Sequence, residues 1–144
     1  MRRRPRWVVD TNVLVSAFLW KGPPGRVIEL AGEKEVQLFT SRVLLDELAA
    51  TLSKKKLARY VEATGSRADH MLASYRRIAT VVAARPLDAQ VSRDVDDDAV
   101  LACAIAARAD LVVTGDDDLL SLKRFGEVPI VTVAQAVKVF GARS

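Results

Sequence analysis

WVVDTNVLV, residues 7–15, decides how the chain folds. A short apolar run over residues 6–9 reads as a strand and stops at Asp10, and a helical stretch over residues 12–20 follows. A buried strand thus delivers a carboxylate to the start of a helix. Runs at 36–40, 80–83, 111–114 and 128–131 resemble the first, with helical stretches between them at 25–32, 41–52, roughly 66–78, 97–108 and 132–140. Alternating strands and helices predict an α/β fold: a central, mostly parallel five-stranded sheet flanked by helices on both faces.

In such sheets ligands bind outside the carboxyl ends of the strands. Asp10 ends the first strand and Asp116 lies two residues past the fourth, in LVVTGDDDLL, residues 111–120. Both are expected at the same sheet edge. Two further segments supply acids: SRVLLDELAATL (41–52) carries Glu47, and RDVDDDAVLACAIA (93–106) carries Asp96, Asp97 and Asp98. Carboxylates gathered from distant segments repel one another and raise each other's pKa, so such a site makes sense around a hard divalent cation, Mg²⁺ or Mn²⁺.

Each acid also has an ordinary reading. Asp10 is placed to cap the following helix. On a helical wheel the apolar stripe of 41–52 centres on Leu44, Leu45, Leu48 and Leu52, which puts Glu47 at its flank and Asp46 nearer solvent. The triplet at 96–98 suits an acidic first turn. Periodicity does not choose within it: Asp97 shares a face with Val100, Leu101 and Ala104, and Asp98 shares one with Leu101, Ala102 and Ile105. Asp116, Asp117 and Asp118 fit a solvated turn into a helix over 118–124. Asn12 and Ser16, one helical turn apart, add short polar side chains at the mouth beside Asp10.

The 144 residues suit one domain over 1–144, with a basic extension at 1–5; half are apolar and 28% charged. Lys and Arg outnumber Asp and Glu by 22 to 18, and the acids cluster in 94–118, so the rest of the surface is basic. That distribution suits a polyanion. The lone cysteine, Cys103, forms no internal disulfide and reads as a small core residue, and the lone histidine, His70, lies far from every motif. A paired-histidine ribonuclease and a Ser-His-Asp triad are thereby disfavoured, and a structural Cys/His zinc site is excluded. An aspartyl phosphatase is disfavoured because Asn12 stands where a second Asp is wanted. No segment reaches the roughly 20 apolar residues of a membrane span, and the expected compartment is the cytoplasm.

The segments VVDTNVLVSAFL, SRVLLDELAATLSKKKL and RDVDDDAVLACAIAARADLVVTGDDDLLSL resemble the PIN-domain nucleases, and among them the toxins of type II toxin–antitoxin systems. The resemblance spans the chain except the helical part at about 58–85. It implies a PIN-like fold in which Asp10, Glu47, Asp98 and Asp116 are the metal-binding catalytic acids, with Asp97 the fallback for Asp98. Asn12, Ser16 and Thr114 correspond to the polar residues bordering the site. It further implies an endoribonuclease for single-stranded RNA, in which one or two Mg²⁺ or Mn²⁺ ions lower the pKa of a water that attacks phosphorus in line, leaving 5′-phosphate and 3′-hydroxyl ends.

The implied partners are RNA, a cognate antitoxin that folds on contact, and a second copy in a homodimer. Candidate RNA contacts are the arginines of 2–6, Lys21, Arg26, Lys54, Lys55, Lys56 and Arg59. Trp20 and Tyr60 are candidates for stacking, and Trp7 is expected in the core. The same acids would serve a processing or quality-control nuclease, or a binding module that keeps the pocket without cutting.

Overall fold

Residues 3–143 are described by the computed structural model, with side chains from 3 to 140. Of the expected basic extension, Arg2 lies outside the described residues. Strand β1 (Arg6–Val9) passes through Asp10 into α1 (Thr11–Leu19) and α2 (Pro23–Gly32). β2 (Gln37–Thr40), α3 (Arg42–Leu52), a 3₁₀ turn (Lys55–Leu57), α4 (Ala58–Ala63), α5 (Ala68–Ile78) and β3 (Ala79–Val81) follow. The remainder is α6 (Val95–Ala107), β4 (Leu111–Val113), α7 (Asp117–Leu120), β5 (Arg124–Phe125), β6 (Val128–Val131) and α8 (Val133–Arg143).

The sheet has six strands in the order β3-β2-β1-β4-β6-β5. All neighbours pair in parallel except β5 with β6. The expected fold class stands, with the strand count corrected from five to six. The extra strand is a two-residue edge, Arg124–Phe125, that begins at the last residue of the stretch expected to be helical. Phe125 pairs with Val128 across a turn at Gly126, whose φ of 58° is left-handed backbone that glycine adopts without strain.

β1 is central because both of its faces are covered. Side chains alternate across a strand, so Trp7 and Val9 enter one core with α1, α2, α3 and α5, while Val8 enters the other with α6. All three are at most 2% exposed, which accounts for the unbroken apolar run. Trp7 is a core residue, as expected. Among the described residues, no helix is long and apolar enough to cross a membrane.

From β1 the chain builds outward to β2 and β3, then returns through α6 to place β4 on the other side of β1. The connections leaving β1 and β4 therefore diverge, which opens a crevice at the carboxyl edge between them. Their ends are fixed in register: the Asp10 amide donates to the Val113 carbonyl at 2.9 Å, and the Thr114 amide to Val131 at 2.9 Å.

α6 begins at Val95, two residues before the expected start. Asp94 caps it, its carboxylate accepting from the Asp96 amide at 2.9 Å. The acidic triplet therefore lies inside the first turn.

Candidate active site at the carboxyl edge of the sheet

Asp10 occupies the N-cap position of α1, and its carbonyl accepts from the Val13 and Leu14 amides. Its side chain makes no capping bond. Instead the carboxylate, 5% exposed as a residue, accepts from the Thr114 hydroxyl at 2.7 Å. Thr114 is fully buried, and its hydroxyl oxygen also accepts from the Asp116 amide at 3.0 Å. One threonine at the end of β4 thus ties the acid after β1 to the loop carrying the next. Burial pushes the Asp10 pKa up against the Thr114 bond, and the Asp116 charge adds to the rise.

Asp116 caps α7, its Oδ1 accepting from the Asp118 and Leu119 amides at 2.7 and 3.2 Å. The capping bond expected of the Asp10 side chain is absent there and is made instead by Asp116, which was expected in a solvated turn. Asp118, whose amide that cap engages, accepts from the Arg93 guanidinium through its own Oδ1 at 2.9 Å. Asp97, Asp116 and Asp118 each present a carboxylate oxygen within 4.8 Å of the others.

The structure separates the two candidates on α6. Asp97 is buried on the face it shares with Val100, Leu101 and Ala104, and its Oδ2 accepts from the Ser92 hydroxyl at 3.1 Å. Its pKa is raised to about 6 by burial, offset by Ser92 and reinforced by the Asp116, Asp94 and Asp10 charges. Asp98 turns the other way. Its two oxygens accept from the backbone amides of Val91 and Ser92 at 2.9 and 2.7 Å, which pins the loop before α6. It lies apart from the cluster because its face continues to Ile105, which is exposed.

Glu47 reaches the site from α3, its pKa lifted to about 7 by burial and then by the charges of Asp96 and Asp10. Its Oε2 is buried without a hydrogen-bond partner. An unsatisfied carboxylate oxygen in the interior is costly, and here it sits in a field of further carboxylates. An all-oxygen donor set with one orphaned member fits a hard divalent cation. Asp46 is exposed, as the helical wheel implied.

Asn12 and Ser16 line a cavity of about 610 Å³ beside the acids, with Thr114, Gly115, Asp116, Pro23 and Pro24. Arg3, before β1, and Arg6, its first residue, are elsewhere. Arg3 pairs with Asp110 at 2.8 Å; the Arg6 amide donates to Asp110, its Nε donates to the Ala107 carbonyl, and its guanidinium lies 4.1 Å from the Phe39 ring centroid. Both residues sit at the opposite edge of the sheet from the acids. Arg26 is engaged by Glu29 and Glu33. His70 is exposed, and Cys103 is buried with its thiol pKa pushed up to about 12 by that burial.

Asp118 was missed by the sequence reading. A four-residue helix has no periodicity to orient its side chains. The available signal was its place two residues after a capping Asp.

A family model described as the PIN domain matches residues 6–118. The chain belongs to the PIN domain family. The uncharacterized protein MJ1680 of Methanocaldococcus jannaschii is 30% identical over 117 residues, covering 81% of this chain and 74% of that one. Among solved structures, VapBC2 from Rickettsia felis, bound to a DNA fragment from its promoter, matches with a TM-score of 0.58 at 17% identity, over 88% of this chain and 98% of that one. The PIN domain of RRP44 from T. brucei matches with a TM-score of 0.50 at 12% identity, over 97% and 83%. At these identities the two likenesses concern the fold. PIN domains are nucleases that use divalent metal ions, and the buried acids of this chain are of the kind that use requires.

Proposed function

We propose that this PIN domain is an endoribonuclease for single-stranded RNA that requires Mg²⁺ or Mn²⁺. The observation carrying the proposal is the convergence of Asp97, Asp116 and Asp118 oxygens within 4.8 Å, backed by the orphaned Oε2 of Glu47. Asp97, Asp116 and Asp118 would hold the ion, with Asp10 and Glu47 behind them; Asp98 serves as a loop anchor. A bound divalent cation supplies the positive charge that acidifies a water and neutralises the scissile phosphate.

The chain's own residues do the rest. Thr114 holds the Asp10 carboxylate in one orientation and, through the Asp116 amide, fixes the cap on the Asp118 amide. Glu47 Oε2, with no other partner, is free to accept a proton from the attacking water. Asn12 and Ser16 border the cavity where the strand lies and position it by hydrogen bonds. In-line attack of water leaves a 5′-phosphate and a 3′-hydroxyl.

We further infer that the protein is the toxin of a toxin–antitoxin pair and acts as a homodimer covered by its antitoxin. The three motif segments that resemble such toxins support this reading, as does the likeness in fold to VapBC2.

The test incubates purified protein, Asp97→Asn and Asp98→Asn with labelled single-stranded RNA in Mg²⁺, Mn²⁺ or EDTA. Metal-dependent cleavage lost in Asp97→Asn and kept in Asp98→Asn supports the site; 2′,3′-cyclic phosphate ends refute the chemistry. Growth arrest on expression, relieved by a neighbouring small gene, tests the toxin role.

A further inference from the structure

At the end of α1 away from the acids, the Trp20 ring lies 5.2 Å from the Tyr60 ring, centroid to centroid, tilted by 57°. The Arg59 guanidinium lies 4.8 Å from the Tyr60 centroid and donates to the Tyr60 hydroxyl at 2.9 Å. Trp20 is 45% exposed, whereas Trp7 is 1% exposed. An indole held at the surface by an aromatic neighbour that is itself braced by a guanidinium presents a stacking face to water.

Cations flank this group along the chain, Lys21 beside Trp20, Arg59 beside Tyr60 and Lys54, Lys55 and Lys56 in the turn before α4. Lys21, Lys54, Lys55, Lys56 and Arg59 are exposed, and among the described residues no ion pair engages any of them. Arg3, Arg26, Arg67 and Arg93, by contrast, each pair with a carboxylate.

The platform is continuous with the acidic site. Asn12 and Ser16 share one face of α1, and Trp20, the residue that ends the helix, follows Ser16 by four positions, its amide donating to the Ser16 carbonyl at 3.0 Å. The first two line the cavity beside Asp116, and Pro23, three residues past Trp20, lines it again. At 1.5 Å per residue Trp20 lies about 12 Å from Asn12, roughly the rise of three to four stacked nucleotides.

We propose that Trp20, with Tyr60 and Arg59 behind it, stacks an unpaired base of the RNA, while Lys21 and the lysines of 54–56 contact flanking phosphates. This rests on the ribonuclease reading above. The platform selects unpaired strand and fixes how far the cut falls from the stacked base. Aromatic faces interleaved with unpaired cations suit single-stranded nucleic acid. A protein-binding patch is depleted of lysine at its centre.

The experiment uses the full chain carrying Asp10→Asn, in EDTA, with labelled oligouridylate of about 12 nucleotides. Only two tryptophans are present and Trp7 is buried, so a change in indole emission on RNA binding reports Trp20. Quenching is expected, and an oligomer lacking bases should not produce it. Trp20→Ala should weaken binding about tenfold or more, Trp20→Phe should restore most of that, and Arg59→Ala should fall between. Lys55→Ala should lower the salt slope by about one.

RNA binding by Trp20→Ala equal to that of its parent overturns the platform and leaves the ribonuclease reading standing. Failure of the unsubstituted protein to bind or cut single-stranded RNA, with or without metal, overturns both. Self-association lost in Trp20→Ala with RNA binding intact assigns the patch to a second copy and refutes the proposal.

Discussion

Glu47→Gln should stabilise the metal-free protein, and only at neutral to alkaline pH. Glu47 is half-buried, with one carboxylate oxygen unpartnered, and its pKa rises from 4.5 to about 7. An acid whose folded pKa is raised costs nothing below its unfolded pKa, where both states are protonated. The cost grows between pH 4.5 and about 7, as only the unfolded state releases its proton freely, and is complete above 7. At about 1.36 kcal/mol per unit the whole shift corresponds to about 3.4 kcal/mol, and solvent screening at a partly exposed site reduces this to about 1–2 kcal/mol. Urea melts in EDTA at pH 8 should therefore show the variant more stable by that amount, about 3–6 °C in Tm for a chain of this size. At pH 4.5 the two proteins should coincide. With saturating Mn²⁺ the order should reverse, because the variant loses a negative charge behind the ion's ligands. A variant no more stable than the parent at pH 8, or equally stabilised at both pH values, would refute the reasoning.

Asp97→Asn should abolish metal-dependent RNA cleavage. Asp98→Asn should keep it while costing about 1–3 kcal/mol in thermal or urea melts, since it weakens the clamp on the Val91 and Ser92 amides. Thr114→Val keeps the volume but strips a buried carboxylate and a backbone amide of their shared partner, so a loss of about 1–3 kcal/mol and weaker Mn²⁺ binding by calorimetry are expected. Mn²⁺ should raise Tm more at pH 8 than at pH 5.5, because Asp97, a ligand, and Glu47, behind the ligands, with pKa values of about 6 and 7, must lose protons before the site carries its full negative charge. Equal shifts at both pH values would remove those two carboxylates from the site.

The central strands and their order of acids were legible because a parallel sheet covered on both faces leaves unbroken apolar runs, and Asp10 interrupts such a run where a helix must begin. β5 was not legible: two residues at an edge carry no period. Choosing between Asp97 and Asp98 turns on whether Ile105 faces the core, and an isoleucine ordinarily argues that it does; here it is 56% exposed. The basic residues divided on pairing. Arg26 with Glu29 is a local helical pair readable from spacing, whereas Arg3 with Asp110 joins positions 107 apart. Only tertiary geometry shows which cations remain free.

The hydrogen bond between Thr114 and Asp10 also closes a gap of 104 residues. During synthesis, β1, β2 and β3 can associate while β4 has yet to be made, and at that stage Asp10 lacks Thr114, Asp116 and Asp118. A ribosome adding roughly 5–20 residues per second spends seconds in that interval. The acidic cluster of a nascent chain is therefore incomplete until β4 and the segment after it dock. Any partner that must intercept the nuclease before it acts has that interval in which to be present.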